Sequence, residues 1–210
     1  MGVPEGRLAR HAAQVAAAQR SARAGGGALV MVGDSITQAW QTEGHASLLK
    51  PYRTVNLGTS GDRTEQIIWR LVNGALPANL NPIAFILMAG TNNAGLCRDN
   101  PIHIADGVLR IIELLDAAAP NTPIILYPIF PRGHRPSSAM RKITNKTNTS
   151  LLARLPRRRN MIVRDLRALF LDAEGNVIRA LMPDYLHLSR AGYEIWSADI
   201  KSALKGRSSR

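Results

Sequence analysis

Ser35, Asp184 and His187 are the residue types that split an ester when folding brings them together. A serine hydroxyl can attack an acyl carbon, an imidazole can take its proton, and a carboxylate can hold that imidazole in the needed tautomer. The interval from Asp184 to His187 lets a single turn of chain bring carboxylate to ring. The same reaction needs hydrogen-bond donors where negative charge develops on the carbonyl oxygen. The backbone N–H groups of Ser35 and Gly61 and the side-chain amide of Asn92 can supply them. Each residue also has a plainer reading. Asp34 or Ser35 can cap a helix, Gly61 can serve a tight turn, Asn92 can cap a loop, and Asp184 can be a turn residue after Pro183. One constellation accounts for all of them at once, in order along the chain. His11, His45, His103 and His134 share no loop with an acidic residue and read as surface or packing histidines.

An acyl group attacked by Ser35 must lie beside the nucleophile and the base. Their sequence neighbours are Ile36, after Ser35, and Leu186, before His187; Thr91, before Asn92, can close a third side. Two branched aliphatic walls leave little room for many carbons. The expected substrates are therefore acetyl, propionyl and butyryl esters, with a steep loss for longer acyl chains. The alternative is that Ile36 and Leu186 simply pack into the core.

The elements that must position these residues follow from hydrophobic pattern. Ala28 to Val32 is apolar without alternation, which predicts a strand buried on both faces, ending at Gly33 beside Ser35. Further strands are expected over 53–57, 83–89, 124–129 and 161–166. Gly61 follows the second strand and Asn92 the third. Helices are expected between them. The first covers 5–24, with Leu8, Ala12, Val15 and Gln19 on one face, and is ended by Gly25–Gly27. Asp62 and Glu65 fit a capping box that opens a helix with Ile67, Ile68, Leu71 and Val72 on its apolar side. Asn100 and Pro101 start a helix striped by Ile104, Val108, Ile111 and Leu115. Another carries Met140, Ile143, Thr147 and Leu151. Ser189 caps the last, with Tyr193, Trp196, Ile200 and Leu204 buried. Alternating strands and helices predict a three-layer α/β/α sandwich of about five parallel strands, with ligands at the carboxyl ends of the strands. No linker or repeat interrupts the chain, and residues 1–210 read as one domain.

Composition narrows the function further. Of the 210 residues, 45% are hydrophobic and 20% charged, as in globular proteins that bury a sizeable core. The single cysteine, Cys97, allows no intrachain disulfide and disfavours a thiolate metal cage, and a reducing, cytoplasmic setting is expected. No apolar run is long enough to span a membrane. The formal charge of +12, from 27 basic and 15 acidic residues, raises the question of anionic partners. The basic residues are scattered, however. The two densest groups, Arg154–Arg159 and Lys201–Arg210, lack interleaved aromatics, so no specific nucleic-acid partner is expected. A phosphate- or nucleic-acid-binding module remains the non-enzymatic alternative, but it leaves Asp184 and His187 without a role.

Four sequence blocks carry a resemblance. Gly33-Asp-Ser-Ile36, Asn56-Leu-Gly-x-x-Gly-Asp62, Gly90-Thr-Asn-Asn93 and Asp184-x-x-His187 resemble, in order and spacing, the motifs of the SGNH, or GDSL, hydrolases. The chain is most similar to the platelet-activating-factor-acetylhydrolase-like members, with supporting matches at Trp69–Gly74, Pro131–Gly133 with Pro136, and Leu186–Leu188. The resemblance implies a flavodoxin-like sandwich, Ser35 as nucleophile, Gly61 and Asn92 completing the oxyanion hole, and Asp184 with His187 completing a triad. It implies no cofactor and no metal, and a small-molecule acyl ester as the partner; a homodimer is left open. Thr59-Ser60 stands before Gly61 where relatives often have another glycine. Thr37 stands where the elbow of α/β-hydrolases would have its second glycine, which argues against that fold. Lysophospholipase, thioesterase and carbohydrate acetylesterase activity are the alternatives within the same chemistry.

Overall fold

The computed structural model describes residues 5–205. The element order is α1 (Glu5–Arg23), β1 (Ala28–Gly33), α2 (Ser35–Thr42), β2 (Arg53–Asn56), α3 (Thr64–Arg70), β3 (Ala84–Met88), α4 (Pro101–Ala118), β4 (Ile124–Leu126), α5 (Ala139–Ala153), β5 (Met161–Val163) and α6 (Arg190–Lys205). All five strands pair in parallel, in the order β2-β1-β3-β4-β5. The order reverses direction between β1 and β3, and the crevice at such a switch point is where open α/β sheets hold ligands.

Strand side chains alternate between faces, and both faces are covered. From β1, Val30 and Val32 enter the core under α1, α3, α4 and α5, while Leu29 and Met31 enter the core under α2 and α6. This double burial is why β1 and β3 read as unbroken apolar runs. The stripe Ile104, Val108, Ile111 and Leu115 of α4 is fully inside, and so are Tyr193, Trp196, Ile200 and Leu204 of α6. At roughly 1.5–3 kcal/mol for each large apolar side chain buried, these two helices are well fixed scaffolds. The Tyr193 hydroxyl donates to the Ile36 carbonyl at 2.7 Å and ties the helix behind Ser35 to α6. β1 covers its whole apolar run, whereas β2 to β5 are shorter than the expected runs, because pairing stops where the chain bends into its loops.

Three helix expectations are corrected. In α1 the buried face is Gln14 and Ala18, while Leu8 is 45% exposed. The reason is that α1 covers a loop as well as the sheet. The Gln14 amide donates to the Gly58 carbonyl at 2.9 Å and to Thr59 Oγ1 at 3.0 Å, so a polar residue is the one best satisfied there. In α3, Asp62 does not cap the helix. The Gln66 side chain accepts from the Arg63 N–H at 2.8 Å, and Asp62 is turned inward to Arg70. Val72 is exposed, so the apolar side of that segment narrows to Ile67 and Leu71, with Ile68 partly buried. In α5, Arg141, Thr144 and Asn148 share the buried face with Thr147 and Leu151.

The Arg154–Arg159 group is partly consumed in ion pairs, Arg154 with Asp106 and Arg158 with Asp116. Residues 206–210 of the second basic group lie outside the described residues. Among the described residues no helix is long and apolar enough to cross a membrane.

Candidate active site

Ser35 is the first residue of α2, directly after β1. Its predecessor Asp34 caps that helix, accepting the Ile36 N–H at 3.0 Å. The capping reading and the nucleophile reading of this turn therefore hold together: the cap fixes the turn that presents the hydroxyl. The Gly33 Cα lies against Thr37 and the Met88 carbonyl, so a side chain there would collide with backbone.

The Asp184–His187 loop meets Ser35 from across the sheet edge. Ser35 Oγ lies 2.9 Å from His187 Nε2, and His187 Nδ1 lies 2.7 Å from Asp184 Oδ2. Asp184 Oδ1 accepts the backbone N–H groups of His187 at 2.7 Å and Leu186 at 3.1 Å. Partial burial by itself would raise the Asp184 pKa. The hydrogen bonds from the His187 ring and the two N–H groups outweigh it and hold the carboxyl below its usual range. An ionised carboxylate only accepts, so Nδ1 must carry the imidazole proton. Nε2 is then left with a lone pair facing the serine hydroxyl. Tyr185, at φ +61°, lies between Asp184 and His187 in the tight turn that brings the carboxylate back to the ring.

Gly61 adopts φ +74°, a left-handed conformation that favours glycine. Neither its N–H nor that of Ser35 has a protein acceptor among the described residues. The Asn92 amide donates one of its two hydrogens to the Asp62 carbonyl at 2.9 Å, which leaves the other unused. Asn93, the second asparagine of that block, is structural: its side chain accepts the Thr64 N–H at 2.9 Å and donates to Glu65 and Asp99.

The three expected acyl-pocket residues fall in different settings. Thr91 is buried and receives Arg132 Nη1 on its carbonyl at 2.8 Å. Ile36 is buried in the core beneath α2 and α6, and Leu186 is partly buried against the same core. A cavity of about 200 Å³ lined by Arg10, Gln14, Trp40 and Asn56 is formed between α1 and the back of α2, and neither Asp184 nor His187 borders it. Among the described residues no three His, Cys, Asp or Glu side chains gather as metal ligands would.

Three residues near the site were not singled out for it by the sequence. Asp34 is fully buried, and burial pushes its pKa up to about 6; the Ile36 N–H and the fields of His187 and Arg132 pull the other way. Asp62 is buried beneath the Gly61 loop. Arg132 is half-buried, and desolvation lowers its pKa against the opposing pull of Asp34 and Asp184. Each lies in a stretch quoted for the resemblance, Gly-Asp-Ser for Asp34, Asn56–Asp62 for Asp62 and Pro-Arg-Gly for Arg132, but none was given a role there. Of the histidines set aside, His45 stacks on Tyr193 and, contrary to the expectation of no nearby acid, lies 3.4 Å from Glu43; His11 is tilted against Trp69, and His134 packs on Tyr185 of the His187 loop.

Comparison with known proteins places the chain in a family. The GDSL-like Lipase/Acylhydrolase family model matches residues 31–195, a span that includes Ser35, Gly61, Asn92, Asp184 and His187. The chain belongs to that family. It is a carboxylic ester hydrolase. It is 32% identical over 166 residues to the platelet-activating factor acetylhydrolase IB subunit alpha2 of Rattus norvegicus, covering 79% of this chain and 70% of the relative. It is 31% identical over the same length to the alpha1 subunit of Pongo abelii, with the same coverage. The fold resembles the crystal structure of a GDSL-like lipase from Bacteroides thetaiotaomicron, with a TM-score of 0.72 at 22% identity over 91% of this chain and 98% of that one.

Proposed function

We propose that this acylhydrolase cleaves short-chain, acetyl-type carboxylic esters with Ser35 as nucleophile, His187 as general base and acid, and Asp184 as the group that orients the imidazole. The observation that carries the proposal is the unbroken relay from Ser35 Oγ to His187 Nε2 and from His187 Nδ1 to Asp184 Oδ2. As Ser35 Oγ bonds to the acyl carbon, its proton passes to Nε2 and the carbonyl π electrons move onto oxygen. The N–H groups of Ser35 and Gly61 and the free Asn92 amide hydrogen are the donors for that oxyanion. Collapse expels the alcohol, which takes the proton from Nε2. A water molecule then attacks the acyl-serine with the same base, releasing the carboxylic acid and restoring Ser35.

Ile36 and Thr91 are both buried, Ile36 in the core and Thr91 against Arg132, so acyl preference is assigned chiefly to Leu186, the partly exposed and adjustable wall. The acetyl reading is also supported by similarity to relatives whose names carry acetylhydrolase activity.

The test is turnover of p-nitrophenyl esters of increasing acyl length by the wild type, Ser35→Ala and Leu186→Ala. Ser35→Ala should lose nearly all turnover. Wild-type kcat/KM should be highest for acetyl to butyryl and fall stepwise, about 1–3 kcal/mol for each methylene the pocket cannot hold. Leu186→Ala should move the optimum to longer chains. Retained turnover in Ser35→Ala would remove the mechanism; a wild-type optimum at long acyl chains would instead favour a lysophospholipase or thioesterase.

A further inference from the structure

The dipeptide Arg132-Gly133 touches both halves of the proposed machinery. Arg132 Nη1 donates to the Thr91 carbonyl at 2.8 Å and lies 3.3 Å from Thr91 Oγ1, directly before Asn92. The next residue, Gly133, donates its N–H to the Tyr185 carbonyl at 2.9 Å, between Asp184 and His187. The dipeptide is itself braced. Arg141 donates to the Arg132 carbonyl at 3.3 Å and to the Gly133 carbonyl at 2.7 Å. The Arg132 guanidinium is seated against Gly95, where any side chain would collide with it. Arg132 has no carboxylate within ion-pair distance among the described residues, although it is half-buried. Its charge is instead felt by Asp34 and Asp184.

We infer that Arg132 is a positioning residue of the reaction, a cationic strap that fixes the Asn92 donor relative to the His187 base. The loop carrying Asn92 follows β3, and the loop carrying His187 precedes α6 from the other end of the chain. Their spacing must match one tetrahedral intermediate. A displacement of about 1 Å at such a site can cost on the order of 10²-fold in rate. A guanidinium suits the task because its planar fork holds direction, whereas an ammonium supplies only charge.

The inference rests on Ser35 being the nucleophile, and the test separates the two. Wild type, Ser35→Ala, Arg132→Gln and Arg132→Lys are compared on p-nitrophenyl acetate across pH, with active sites counted by a fluorophosphonate label taken to its endpoint. For Arg132→Gln, kcat per labelled site should fall about 10- to 100-fold while KM stays nearly constant. The acid limb of its pH profile should move to higher pH, because removing a cation from beside the site makes protonation of the acid–base relay easier. Arg132→Lys should keep the wild-type limb and recover only part of kcat. If Arg132→Gln does not fold, the lysine variant decides: a lowered kcat with an unmoved limb supports the strap, and full kcat overturns it. Wild-type kcat per labelled site in Arg132→Gln, or a loss that only tracks the labelled fraction, would overturn the inference while leaving the triad standing. Turnover persisting in Ser35→Ala would overturn both.

Discussion

The two loops that face Ser35 are held in opposite ways. The His187 loop is largely self-contained: Asp184 binds the ring and two backbone N–H groups within the next three residues. The Gly61 loop has two local bonds, from the Asp62 N–H to the Thr59 carbonyl at 3.1 Å and from the Gly58 N–H to Asn56 Oδ1 at 2.9 Å, and is otherwise gripped from outside. Arg10 donates to the Gly58 carbonyl at 2.7 Å, Gln14 to the same carbonyl at 2.9 Å, and Arg70 to Asp62 at 2.5 Å. Those anchors come from α1 and α3, and those on α1 lie more than forty residues away in sequence. Such a loop depends on the folded whole, whereas the His187 loop depends mainly on its own few residues, with one outside brace from the Gly133 N–H. Damage to the first should therefore appear as lost stability and damage to the second as lost chemistry.

The sharpest contrast is expected at the local loop. Asp184→Asn removes the charge that fixes the imidazole tautomer, and the amide can present a donor to Nδ1 instead. Under the proposed mechanism kcat should fall on the order of 10³–10⁴-fold. The side chain is 55% exposed, so unfolding by denaturant should be nearly unchanged. A large loss of stability in this variant would erase the distinction between the loops.

The complementary experiment is at Asp62. Its carboxylate is 0% exposed and meets Arg70, itself 5% exposed, in a two-point contact. Asp62→Asn leaves a buried guanidinium without its counter-charge, which costs about 3–5 kcal/mol. Urea unfolding should show that loss directly. Arg7, the other partner of Asp62, is 37% exposed at 3.4 Å, and Arg7→Ala should cost under about 1 kcal/mol. Equal costs for Asp62→Asn and Arg7→Ala would mean that burial does not govern this anchor.

The same contrast explains what could be read from the sequence. The Asp-x-x-His interval was legible because its interactions are local, and β1, β3, α4 and α6 were legible because each buries a regular apolar pattern. The face of α1 was misread. Its buried residue, Gln14, is polar and answers to the Gly58 carbonyl, which no periodicity can reveal. Asp62 looked like a helix cap because the spacing to Glu65 fits one, yet the burial of Arg70 gave it a stronger partner. Arg132 was legible only as part of the Pro131–Gly133 match and without a role, since its acceptor is the Thr91 carbonyl, forty-one residues earlier.

Asp34 lies between the two regimes, with a local hydrogen bond and a long-range environment. Its cap to Ile36 is local, but its burial is imposed by the whole sheet edge, and one carboxylate oxygen has no partner among the described residues. The folded-state pKa is raised from 3.8 to about 6, chiefly by burial. The folded protein therefore binds this proton more tightly than the unfolded chain does. The resulting stabilisation is complete below the unfolded pKa and is lost as pH rises through about 6. Asp34→Asn keeps a carbonyl oxygen for the Ile36 N–H and removes the titration. Its stability relative to wild type should therefore rise between about pH 4 and pH 7, by on the order of 2–3 kcal/mol. Urea midpoints measured across that range check it. Parallel curves for the two proteins would mean that Asp34 is solvated or paired, and that its cap alone accounts for its place beside Ser35.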